Sequence, residues 1–182
     1  MHPFNKYKLI WLLLLGTLAI LGIILIKETT SHGAGLRPDS YTYLSAAEMI
    51  AEGRGYVRPS GPDGVRPVAN FPPLYSCSLA LIHKIGLDVY PSARVLSGIL
   101  FGSTLMVIGV GILLATGSYV WSVYGMLLFL SSPVFIEWYS YALSEPLYLF
   151  LSLSAFILLS LYLSIRRSSL LLIAVGLSLI HI

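Results

Sequence analysis

The feature that most constrains this chain is an unbroken apolar run, LIWLLLLGTLAILGIILI, from Leu9 to Ile26, bracketed by Lys8 and Lys27. Its 18 residues rise about 27 Å as a helix, close to the thickness of a bilayer's hydrocarbon. Lipid offers no partner for backbone N–H and C=O groups, so a run of this kind must be helical. A secretory signal is the competing reading. Its apolar core is usually only about 7–15 residues long, and the small-residue stretch SHGAG lies far downstream of the run. An uncleaved anchor is the expectation. Composition agrees, since the chain is 57% hydrophobic and 10% charged, whereas soluble domains carry about 25% charged residues.

Further apolar runs cover 89–115, 119–136 and 146–165, the last ending on Arg166 and Arg167, and another begins at Leu170. The expected fold is all-α: a polytopic transmembrane helix bundle of four complete spans and the start of a fifth. The last six residues, LSLIHI, match the translation CTG TCT CTT ATA CAC ATC of a sequencing-library adapter. Leu177 to Ile182 is therefore expected to be artefact, and residues 1–176 the amino-terminal part of a longer membrane module. Net charge is +3 without any Lys/Arg block, so nucleic acid is not an expected partner. The single cysteine, Cys77, reads as a small apolar filler of a helix, and no Cys/His spacing suggests zinc.

Residues 27–88 form a long first loop that holds most of the acids and arginines. Ser40 to Glu52 has helical periodicity, with Tyr43, Leu44, Ala47, Ile50 and Ala51 on one side and Tyr41, Ser45, Glu48 and Glu52 on the other. Asp39 or Ser40 is expected to cap it and Gly53 to end it. Its modest apolar side predicts a helix lying on the membrane interface. Pro62-Asp63-Gly64 marks a turn between the mirrored segments Val57-Arg58-Pro59 and Val65-Arg66-Pro67. An irregular hairpin is expected, because the prolines remove ladder donors. Pro72-Pro73 then opens a helix, Leu74 to Ile85, too short to span. The chain thus returns to its starting side, which puts Arg166 and Arg167 with Lys6 and Lys8, as the positive-inside rule asks of a cytoplasmic amino terminus. Lys27, Arg37, Arg54, Arg58 and Arg66 break that rule: either the orientation is inverted or something anionic holds them outside.

Two acids stand out. Asp39 is a helix cap in the plain reading and a base at the membrane edge in the sharper one. Glu145 opens a helix as Ser144-Glu145-Pro146, and like Glu137 must face protein or a wet cavity if it adjoins a span. On the expected topology Asp39 and Glu145 emerge on one face. The tryptophans and most tyrosines read as an interfacial belt.

Taken in order, the residues Asp39, Ser40, Tyr43, Leu44 and Ala47, then Gly53, Gly55 and Tyr56, then Phe71 to Tyr75, then Ala93, Arg94 and Leu96, and last Ser144 to Leu147 form a pattern around the spans. It resembles the GT-C fold membrane glycosyltransferases (family 39-like), in particular the bacterial branch similar to protein O-mannosyltransferases and aminoarabinose transferases. The resemblance implies a polyprenyl-phosphate-linked sugar donor, a lipid, glycan or protein acceptor, and a multi-pass protein of the bacterial inner membrane. Its site would be extracytoplasmic, with Asp39 as catalytic base and Glu145 matching a second acid. Family members often pair two acids where this chain has Asp39 followed by Ser40, so no metal or other cofactor is expected. A hydroxyl acceptor needs a base, and a lipid phosphate needs positive charge to leave. Arg58, Arg66, Lys84 and Arg94 are the expected phosphate-binding residues, with snorkelling at the interface as their plainer role. The rival expectation is a transporter or assembly subunit whose first loop binds a lipid or a partner.

Overall fold

A computed structural model describes residues 6–61 and 64–179; Pro62 and Asp63 of the expected turn, and Ile180 to Ile182 of the terminal hexapeptide, lie outside the described residues. Helix α1 (Lys6–Thr29) is followed by α2 (Pro38–Ala51), strands β1 (Val57–Ser60) and β2 (Gly64–Pro67), and α3 (Pro73–Lys84). The remainder is helical: α4 (Val89–Thr116), α5 (Tyr119–Leu130), α6 (Pro133–Ser140), α7 (Glu145–Ile165) and α8 (Ser168–Leu179). Among the described residues three helices, α1, α4 and α7, are long and apolar enough to cross a membrane. Large apolar side chains such as Leu13, Ile20, Phe156 and Leu163 stand exposed on α1 and α7, which suits a lipid surround and would be an aggregation surface in water.

The run expected as one span over 119–136 is instead two helices, α5 and α6, bent by 60°. Pro133 has no N–H to continue the ladder and pushes its predecessor out of the α region; Ser132 has ψ 114. The break falls at Ser131 and Ser132, but the apolar residues on both sides keep the average high, so hydropathy alone does not register it.

Helices α1 and α4 pack closely. A Cβ on Gly102 would stand 2.8 Å from the carbonyl oxygen of Ala19, so only glycine admits this approach. Arg94, near the start of α4, donates through Nη2 to the Lys27 carbonyl (2.6 Å) and through Nε to Thr30 Oγ1 (3.2 Å). It thereby satisfies a carbonyl that the end of α1 leaves open, and a cation suits that end of the helix dipole. Below it, Phe101 meets the rings of Phe129 and Tyr139, and Thr104 Oγ1 bonds Tyr139 Oη at 2.8 Å.

Several local expectations change. The helix expected over 40–52 starts earlier, with Arg37 at the N-cap and Pro38 in its first turn. Asp39 is therefore inside the helix, and it is the Ser40 hydroxyl that accepts from the Arg37 N–H (3.0 Å). Ser45, expected on the outer side, is buried along with Ser40, Thr42 and Met49. The strands form an ordinary antiparallel ladder with Val57↔Pro67, Arg58↔Arg66 and Pro59↔Val65 in register. The two prolines occupy alternate rungs, and the Val68 N–H to Tyr56 carbonyl bond (3.2 Å) marks the other set as the hydrogen-bonded one, so no donor is missed. Cys77 is exposed rather than a buried filler.

Candidate functional site

The site is built where the first loop is tied to the link between α6 and α7. The Gly35 N–H donates to the Ser140 carbonyl (2.7 Å), and the Ala142 N–H donates to the Gly35 carbonyl (2.9 Å). This makes a one-residue parallel bridge, Gly35↔Tyr141. A Cβ at Gly35 would sit 2.5 Å from Tyr141 Cδ1, so any side chain there displaces the tyrosine ring. Two further bonds fix the strap: Tyr90 Oη donates to the Ala34 carbonyl (2.8 Å), and Thr29 Oγ1 and Ser140 Oγ lie 3.2 Å apart.

Just past the strap, the Arg37 guanidinium lies over the Tyr141 ring, 4.3 Å from its centroid, and Nη2 donates to Glu137 Oε1 at 3.2 Å. Asp39 follows in the first turn of α2, where the helix dipole favours an anion. Glu145 begins α7. Asp39, Glu145 and Arg37, with Trp138, Tyr141 and Leu143, line a single hollow of about 230 Å³. The two acids expected on one face therefore share a cavity. Neither carboxylate makes a hydrogen bond or ion pair with a described residue, so Asp39 is not spent on capping its own helix.

A second hollow, of about 340 Å³ and almost wholly apolar, is lined by Val134, Phe135, Tyr148 and Leu149, and shares Trp138 and Glu145 with the first. An acid-lined hollow and an apolar one thus share Trp138 and Glu145 in their walls.

Behind the acid-lined hollow stands Tyr43. Its hydroxyl bonds Ser144 Oγ at 2.7 Å, so Ser144 holds the N-cap position of α7 but turns its hydroxyl to α2 instead of capping. Ser76 Oγ donates to the Tyr43 carbonyl (2.9 Å), and the rings of Phe71 and Tyr75 meet Tyr43 edge-on at 5.2 and 5.3 Å. Tyr56 anchors the hairpin by donating to the Phe71 carbonyl (3.0 Å). Burial raises the Tyr43 pKa, and the charges of Glu145 and Asp39 raise it further against the lowering bond to Ser144. Burial also pushes Tyr75 far up, helped by Tyr43 and Glu145, and its hydroxyl has no hydrogen-bond partner among the described residues.

The expected phosphate-binding residues divide. Arg58 does not line the hollow; its Nη1 lies 3.2 Å from Thr42 Oγ1, one turn beyond Asp39. Arg66 stands opposite it across the ladder. Lys84 lies exposed at the far end of α3, and Arg94 is engaged with the end of α1; none of the four lines the hollow. Arg37, read from the sequence only as one more loop charge, is the cation that does. Among the described residues no three His, Cys, Asp or Glu side chains gather as metal ligands. Comparison of the chain with protein-family models, with curated proteins and with solved structures finds no match.

Proposed function

We propose that this chain is part of a membrane glycosyltransferase of the GT-C kind, which moves a sugar from a polyprenyl-phosphate carrier to a hydroxyl acceptor on the extracytoplasmic face. The observation that carries the reading is the sharing of Glu145 and Trp138 between an acid-lined hollow and an apolar one. An amphiphilic donor would set its chain in the apolar hollow and its reacting head between Asp39 and Glu145. Asp39, free of structural bonds, takes the proton of the acceptor hydroxyl as that oxygen attacks the anomeric carbon. The bond from that carbon to the phosphate oxygen breaks, and the phosphate leaves with the electron pair. Glu145 orients the acceptor or the sugar from the opposite wall. Arg58 and Arg66 supply positive potential near Thr42, while Lys84 and Arg94 are assigned no contact with the donor.

In this reading the bent pair α5–α6 makes a fourth span, returning the chain to its starting side of a bacterial inner membrane. Asp39→Asn removes the base but keeps size and shape. Transfer measured with the full polypeptide in membranes carrying polyprenyl-phosphate sugars should fall about 10²-fold or more, with unchanged insertion. Near-normal transfer would remove Asp39 from the chemistry. One observation favours the transporter reading, since broken spans line transport sites and α5–α6 is broken at Ser131–Ser132. Against it, the acids of the hollow lie at the starts of α2 and α7 and not at that break.

A further inference from the structure

The acid-lined hollow has one feature that neither the acids nor the hairpin arginines explain. The Arg37–Glu137 pair joins the first loop to α6; Arg37 lines the hollow and Glu137 does not, and both side chains remain more than half exposed, at 52% and 59%. An ion pair so open to solvent contributes little to stability and is readily exchanged. Its geometry is nevertheless fixed from one side. The guanidinium lies on the Tyr141 ring, and that ring is held by the Gly35 strap. Only Nη2 is engaged; Nε and Nη1 make no hydrogen bond to a described residue. The result is a pre-oriented planar donor with most of its N–H groups open, in the wall of the chamber that shares Glu145 with the apolar hollow.

We propose that Arg37 is the oxyanion anchor of this chamber, and that Glu137 is a resident stand-in which the phosphate of an alkyl-phosphate amphiphile displaces. A phosphate matches the guanidinium fork with two parallel bonds, whereas Glu137 engages a single nitrogen. Charge works against the exchange, since Asp39, Glu145 and the displaced Glu137 all repel an anion, so the two-bond fork has to outweigh that repulsion. With Glu137 displaced, Arg37 offsets the ligand's charge beside Asp39 and Glu145, and Arg58, bonded to Thr42 one turn from Asp39, adds a second cation. The ligand's chain is argued from the neighbouring hollow, whose lining of Phe135, Trp138, Tyr148 and Leu149 begins at the same Glu145. This inference rests on the proposed transferase reading for its ligand class, but concerns binding and not chemistry.

The test uses the whole protein in phosphatidylcholine nanodiscs, with farnesyl phosphate as probe and farnesol as its uncharged counterpart. The wild type should prefer the phosphate to the alcohol. Glu137→Gln, which removes the competitor, should tighten farnesyl phosphate by about three-fold and leave farnesol unchanged. Arg37→Gln should cost the phosphate about ten-fold and abolish the preference, with Arg37→Lys recovering part of it. Because Glu137→Gln predicts a gain, misfolding cannot mimic it. Unchanged or weaker phosphate binding in Glu137→Gln, or a preference that survives Arg37→Gln, overturns the proposal. So does equal displacement of the probe by inorganic phosphate, since the chain would then add nothing. If Asp39→Asn abolishes transfer while Arg37→Gln keeps the preference, the anchor is wrong and the transferase stands. If the preference vanishes but Asp39→Asn transfers normally, the anchor stands and the proposed chemistry falls.

Discussion

Tyr75 sits fully buried in α3 with a hydroxyl that bonds nothing described, an arrangement that costs free energy unless something in the working protein uses it. Removing that oxygen as Tyr75→Phe should raise thermal stability in detergent by about 1 kcal/mol. Its pH dependence has a definite sign. The folded-state pKa is raised above the ordinary value of 10.0, so the native state holds the proton more tightly than the unfolded chain. The corresponding stability is whole below about pH 10 and drains away as pH rises above it; Tyr75→Phe should flatten that alkaline loss. Arg94 makes the opposite case. Its bonds to the Lys27 carbonyl and Thr30 bind the head of α4 to the tail of α1. Arg94→Ala should lower stability by about 1–3 kcal/mol without changing the affinity for farnesyl phosphate. A changed affinity at constant stability would return Arg94 to the set of phosphate ligands.

Among the elements, the pairing of α1 with α4 depends on Gly102, whose missing side chain lets the Ala19 carbonyl come within van der Waals reach. Gly102→Leu should overpack that crossing and cost about 1–3 kcal/mol or more, read as a lower melting temperature. The long apolar helices were legible in the sequence because lipid imposes length and apolarity directly on composition. The α5–α6 break was not, since Phe129, Leu130, Val134 and Phe135 keep hydropathy high on both sides of Pro133. The breadth of the buried face of α2 was also hidden. By periodicity Ser45 falls on the outer side and Thr42 on neither, yet both are buried because each hydroxyl has a partner, the Thr42 carbonyl for one and Arg58 for the other. The pairing of Asp39 with Glu145 was readable from span parity. Arg37 with Glu137 was not, because 100 positions separate them and no periodicity links a loop to a distant helix end. The prolines of the hairpin misled for a related reason: register, which decides whether they matter, is not visible in either strand alone.

For the molecule as a whole, the tail of α1, the head of α4, the end of α6 and the head of α7 are brought to one end by Arg94 and by the Thr29–Ser140 contact. The site and the exposed hairpin lie at this end, so orientation in the membrane is directly testable. A cysteine at the exposed Ser60, in a Cys77→Ser background because Cys77 is itself exposed, should react with an impermeant maleimide added outside intact cells. Labelling only after the cytoplasm is opened would invert the topology and with it the proposed reaction. The Gly35–Tyr141 bridge has one more implication. Backbone hydrogen bonds couple the segment before Asp39 to the segment before Glu145, so when the long helices tilt or breathe in a fluctuating bilayer the two acids travel together. Thickness changes in the surrounding lipid should then leave the spacing of Asp39 and Glu145 untouched.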